Sequence, residues 1–211
     1  MEKYTADRIV TINVDVQNDF LPGGSLAVTE GDQVVPILNA VNELTRELGG
    51  TVVFTGDQHP EETPHFGPDA WPVHCVAGTE GAALSTQLEV LPADIIVDKG
   101  MGQTDGYSAF EGVTHDGRTL EEVVQPTSKE RVALLLGGLA TDYCVMNSVL
   151  DALKVDPKEG EITVFVLRDA IRAVNMNPED GKKAIATMET AGAIIIDSVD
   201  VLTGNALELA K

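Results

Sequence analysis

The chain has 211 residues, with 14 Lys and Arg against 34 Asp and Glu, a formal charge of −20 at pH 7 and 43% hydrophobic residues. That size and balance suit a single soluble globular domain over residues 1–211, and so acidic a surface repels nucleic acid and anionic membrane alike. No apolar run reaches the length of a membrane span and the opening residues are polar, so a cytoplasmic location is expected, with the acidity read as solubility, a salty cytoplasm included.

The first strand-like run covers residues 9–16 and closes on Asp15. A helix is predicted over 34–48, from apolar spacing at Val34, Ile37, Leu38, Val41 and Leu44. A second strand, 51–55, leads into an irregular Pro-, Gly- and His-rich stretch over 56–79, and loops that long are usually functional. A third strand, 94–97, is followed by Lys99 and by a second irregular stretch, 100–117, holding Tyr107 and His115. Strands at 131–136, 162–167 and 193–196 alternate with helices at 145–153 and 181–191. Continuous apolar strands alternating with helices predict an α/β fold. It is a three-layer doubly wound architecture with a mostly parallel six-stranded sheet and helices on both faces.

In open α/β sheets ligands bind beyond the carboxyl ends of the strands. That rule brings Asp15, Asp57, His59, Lys99 and Cys144 to one rim. Cys144 follows Gly137-Gly-Leu-Ala-Thr-Asp-Tyr, where Thr141 or Asp142 can cap the next helix. A helix start favours thiolate and offers free N–H groups to an oxyanion. The alternative is a small buried thiol, as Cys75 is read to be; two cysteines make neither a disulfide framework nor a Cys-based zinc site. Asp15, costly at the end of an apolar strand without a partner, pairs naturally with Lys99, as a proton acceptor with a balancing cation or as a plain internal salt bridge. His59, His65 and His74 are three of the four histidines and share one loop with Asp57. Oxygen and imidazole together suit Zn²⁺, Fe²⁺ or Mn²⁺ rather than Ca²⁺.

Seven segments, in order, resemble the nicotinamidase/pyrazinamidase group of the isochorismatase-like cysteine hydrolases. They are Asp15-Val-Gln-Asn-Asp-Phe20, Gly23-Gly-Ser-Leu-Ala-Val28, Asp57-Gln-His59, Trp71-Pro-Val-His74-Cys-Val-Ala-Gly-Thr79, Lys99-Gly100, Tyr107-Ser-Ala-Phe110 and Gly138-Leu-Ala-Thr-Asp-Tyr-Cys144. The resemblance implies a catalytic set of Asp15, Lys99 and Cys144, and metal ligands at Asp57, His59 and His74. It implies an oxyanion hole from the N–H groups of Ala140 and Cys144, a cis peptide at Leu139–Ala140, and a ring pocket lined by Phe20, Leu26, Trp71 and Tyr107. Gln58 stands where many relatives carry an aromatic residue, and the stretch from His59 to His65 is longer than in many members. His65 is therefore left open as a further ligand, as in some relatives.

The activity implied is hydrolysis of nicotinamide, and of pyrazinamide, to the acid and ammonia through a Cys144 thioester, a step of NAD salvage and pyridine nucleotide biosynthesis. One divalent metal ion is implied, zinc first, with iron or manganese as alternatives. The partner is a small molecule, with self-association into a homo-oligomer left open. Rival readings are an isochorismatase-like or carbamoyl-amide hydrolase of the same superfamily, a metallohydrolase with Cys144 as bystander, and a non-catalytic ligand-binding protein on the same scaffold.

Overall fold

The computed structural model describes residues 3–68, 70–102 and 104–210. Among these residues the strands are β1 (Tyr4–Ala6), β2 (Arg8–Val14), β3 (Thr51–Asp57), β4 (Ile95–Lys99), β5 (Val113–Thr114), β6 (Arg131–Leu139), β7 (Glu161–Arg172), β8 (Ile194–Ile196) and β9 (Leu207–Leu209). The α-helices are α1 (Val34–Glu47), α2 (Leu120–Val124), α3 (Met146–Ala152), α4 (Asp180–Ala191) and α5 (Ser198–Leu202). No helix among the described residues is long and apolar enough to cross a membrane.

All six predicted strands form one parallel sheet, in the order β4-β3-β2-β6-β7-β8. The predicted number of strands is one short. The two-residue β5 adds an antiparallel seventh strand beside β4, and β1 pairs with β9 in a separate two-stranded sheet.

Alternation along the strands divides the core in two. Ile9 of β2, Ala133 and Leu135 of β6, and Phe165 and Leu167 of β7 face α1 and α5, where they meet Val34, Leu38, Val41 and Val201. Val10 and Ile12, Leu134 and Leu136, and Val164 and Val166 face the other way, toward Leu120, Val149 and Met188 of α2, α3 and α4. Burying strands on both faces is what the uninterrupted apolar runs required. Polar residues inside the α1 layer are satisfied in pairs. Thr11 and Thr45 share a hydrogen bond of 2.7 Å, and Asn13 and Asn42 exchange two, at 3.1 and 3.0 Å.

The chain winds outward through β2, β3 and β4 in one direction, then restarts at β6 and winds the other way. The reversal lies between β2 and β6, the crevice where such sheets bind ligands. Gly138 makes the two strand ends meet closely: its φ of 123° is one open to glycine, and a Cβ there would run into the Val14 carbonyl.

Candidate active site

Asp15 leaves β2 with φ 49° and turns its carboxylate toward β3, where the Thr55 hydroxyl donates to Oδ1 at 2.6 Å. Lys99, the last residue of β4, is fully buried. Its Nζ donates to Asp57 Oδ1 at 2.6 Å, to the Gly106 carbonyl at 3.0 Å and to Cys144 Sγ at 3.6 Å. Those bonds use all three ammonium N–H groups. Asp15 Oδ2 lies 2.8 Å from Nζ as an ion-pair neighbour, yet it accepts no directed hydrogen bond among the described residues. Asp15 Oδ2 therefore keeps an open lone pair beside the cation.

Asp15, Lys99 and Cys144 thus come together as expected, and Lys99 does more than the sequence suggested, since it bridges Asp15 and Asp57. Burial works to discharge Lys99, but the two carboxylates outweigh it and hold its pKa well above the usual value. Burial pushes the Asp15 carboxyl up, and Lys99 only partly pulls it back. Asp57 goes the other way: despite burial, Lys99 and His59 hold it well below the usual carboxylate range.

Cys144 does not sit in the first turn of a regular α-helix. It lies in a single wide turn, Thr141–Val145, that precedes α3, and Ala140 stands at the cap position with no side-chain cap bond. Neither Thr141 nor Asp142 caps it. Against the pull toward thiolate expected of a helix start, burial drives the Cys144 thiol well above its usual pKa, and Lys99 offsets this only in part. The Leu139–Ala140 peptide is cis, as expected.

The irregular loop is tightly built. His59 follows β3 by two residues; its N–H donates to the Cys75 carbonyl at 2.9 Å and its own carbonyl accepts from Ala77 at 2.9 Å, which brings His74 back to β3. Asp19 holds the Cys75 N–H at 2.7 Å. The Gln17 carboxamide clamps both backbone groups of Asp57, at 2.9 and 2.8 Å. Cys75 is a buried thiol raised by burial, in line with a packing role.

His59, His65 and His74 gather with ligand atoms within 4.8 Å of one another. Each ring has its Nδ1 engaged: His59 with the Gly100 carbonyl at 3.0 Å, His65 with Asp105 at 2.7 Å and His74 with the Pro72 carbonyl at 2.7 Å. A carbonyl can only accept, so His59 and His74 carry their proton on Nδ1 and present Nε2 as a lone pair. His59 Nε2 is buried, has no hydrogen-bond partner among the described residues and faces Asp57 Oδ2 at 3.7 Å. An orphaned imidazole lone pair beside a carboxylate and two further imidazoles is what a divalent cation of the zinc type would satisfy. The residues fit such an ion, and His65 lies in the same cluster as His59 and His74. Burial also lowers the His74 pKa, which favours the neutral, ligating form.

Phe20, Leu26, Trp71 and Tyr107 line a narrow pocket over Cys144 and Ala140. Trp71 Nε1 donates to the Tyr107 hydroxyl at 2.9 Å, and the Trp71 and Tyr143 rings meet edge to face at 4.8 Å. Sequence reasoning missed Tyr143 and Val174, which complete the wall. Tyr143 had a signal, its place beside the nucleophile; Val174 had none. His115 is not part of the site: it is exposed and pairs with Asp98 at 3.0 Å.

A doubly wound α/β sheet, with a buried Asp–Lys–Cys cluster at its switch point and a histidine cluster beside it, defines the class of protein. Residues 10–200 match the isochorismatase domain family, and the chain belongs to that family. The nicotinamidase of Escherichia coli is 34% identical over 206 residues, 89% of this chain and 93% of that protein. The nicotinamidase/pyrazinamidase of Mycobacterium tuberculosis is 38% identical over 150 residues, 68% of this chain and 77% of that protein. Among solved structures, the pyrazinamidase of Pyrococcus horikoshii in complex with zinc superposes with TM-score 0.75 at 34% identity, covering 90% of this chain and 99% of that one. PnC1 from L. infantum in complex with nicotinate gives 0.77 at 29% identity, covering 99% and 100%.

Proposed function

We propose that the protein is a nicotinamidase, hydrolysing nicotinamide to nicotinate and ammonia and accepting pyrazinamide, with Asp15, Lys99 and Cys144 as its catalytic residues. The observation that carries the reading is the buried Lys99 ammonium, with Asp15 at 2.8 Å and Cys144 Sγ at 3.6 Å, beneath a pocket lined by Phe20, Trp71, Tyr107 and Tyr143. The curated and solved relatives named above support the choice of substrate.

Asp15, its carboxyl raised by burial and drawn back only in part by Lys99, can both take and return a proton. Its open Oδ2 lone pair takes the proton of the Cys144 thiol as Sγ bonds to the amide carbon. Lys99 stays charged and balances the sulfur as it becomes anionic. The N–H groups of Ala140 and Cys144 receive the negative charge on the amide oxygen. Asp15 then returns its proton to the nitrogen, the C–N bond breaks and ammonia departs, leaving a thioester. A water, deprotonated by Asp15, hydrolyses the thioester, and nicotinate leaves as Sγ regains its proton.

Asp57, His59, His65 and His74 would hold one divalent cation, zinc first, with iron or manganese as alternatives. Such an ion supplies a Lewis acid that fixes and polarises a ring nitrogen of the substrate. Phe20, Leu26, Trp71 and Tyr107 would enclose that ring. Residues 1–211 are read as one domain, because the two halves of the chain share one sheet, and the reduced Cys75 and Cys144 suit a cytoplasmic location. Exhaustive chelation should abolish ammonia release and added Zn²⁺ should restore it; full activity in a protein shown to be metal-free would favour a metal-independent sister hydrolase.

A further inference from the structure

Val174 stands on the loop after β7, far in sequence from the turn that carries Cys144, yet both face the same pocket. What joins them is Asp142, a residue of that turn only 8% exposed. Its Oδ1 accepts the Val174 N–H at 2.9 Å and its Oδ2 accepts the Asn175 N–H at 2.8 Å. A buried carboxylate that spends both oxygens on consecutive backbone donors fixes the loop in position and direction. The far end of the loop is fixed as well. Asn175, at φ 54°, uses its side-chain Oδ1 to accept the Gly181 N–H at 2.9 Å, near the start of α4. Gly181 has no room for a side chain: a Cβ would lie 2.6 Å from Ala173 Cβ and 3.1 Å from Asn175 Oδ1.

We propose that Asp142 is a positioning residue for substrate selection: by clamping the Val174–Asn175 backbone to the turn that carries Cys144, it sets the gap between the nucleophile and the Val174 wall and so decides which ring sizes the pocket admits. The proposal rests on the amidase reading above. Asp142 touches no reacting atom, so its loss acts on how the ring is held rather than on the making of the thiolate.

Asp142→Asn keeps the shape of the side chain but turns an amide donor toward one of the two backbone N–H groups. The KM for nicotinamide should rise about tenfold while kcat changes by less than about threefold. The preference for nicotinamide over a ring-methylated nicotinamide, as a ratio of kcat/KM, should fall about tenfold. Gly181→Ala, which displaces the same loop while leaving Asp142 intact, should move KM and preference in the same direction, and it carries the test where Asp142→Asn does not fold. Unchanged KM and preference in both variants overturn the proposal, as do equal losses of kcat and kcat/KM with preference intact. If the wild-type protein releases no ammonia from nicotinamide, the substrate reading fails instead. Hydrogen exchange at the Val174 and Asn175 amides still decides the clamp: it should speed at least about tenfold in Asp142→Asn, and unchanged exchange overturns it.

Discussion

At Lys99 one ammonium holds two carboxylates and a thiol in a buried space. Removing it leaves Asp15 and Asp57 buried and uncompensated, so Lys99→Met should abolish activity and also cost about 3–5 kcal/mol in denaturant unfolding. A variant as stable as wild type would mean that the pairing is dispensable. The raised Cys144 thiol carries its own consequence. At about pH 8 iodoacetamide should modify resting Cys144 more slowly than an unstructured cysteine, because burial keeps the proton on sulfur. Faster modification, followed by mass spectrometry, would restore the thiolate expected from the start of a helix. Asp105, on the loop before Tyr107, orients His65 through Nδ1. Asp105→Asn should weaken zinc binding about tenfold in a competition titration with a chromogenic chelator; unchanged affinity would make the contact incidental. Asp15, Lys99 and Cys144 were legible in the sequence because each ends or follows an apolar strand. Asp105, Asp142 and Val174 were not, because their roles arise where loops distant in sequence meet.

The strands were legible for the same reason: runs of Val, Ile and Leu buried on both faces need no alternation to be recognised. Their ends were less so. β7 continues past Leu167 through Arg168 and Asp169, polar residues that the periodicity reads as its end. Arg168 pairs with Asp197 at 2.5 Å and Asp169 accepts the Ser198 hydroxyl at 2.6 Å, so the strand is anchored by contacts invisible in its own pattern. β5, two residues long, offers no period at all. Between elements, Asp7 pairs with Arg131 at 2.9 Å and ties the turn before β2 to the start of β6. Arg131 lowers the Asp7 carboxyl to about 2. A depressed folded pKa stabilises above the unfolded value and is lost as pH falls toward about 2. The stability gap between wild type and Asp7→Asn should therefore be present at neutral pH and close below about pH 4; a gap that widens on acidification would contradict the pairing.

For the whole molecule, the reversal between β2 and β6 converts a list of strand ends into a site. Asp15 arrives from one winding direction and Cys144 from the other, and Lys99 reaches in from β4 two strands away from β6's neighbour. The site itself sets two carboxylates, Asp15 and Asp57, against one buried ammonium, under a wall that is largely aromatic. The ordered motifs made the family and the histidine-rich loop legible from sequence, whereas the sharing of Lys99 between Asp15 and Asp57 needed coordinates, since no spacing shows two strand ends competing for one ammonium. The most direct test measures ammonia and nicotinate released from nicotinamide by zinc-loaded wild-type protein and by Cys144→Ala. Equimolar products from the wild type, and none above background from the variant, are the predicted result. Release undiminished in Cys144→Ala, or absent from the wild type, would contradict it.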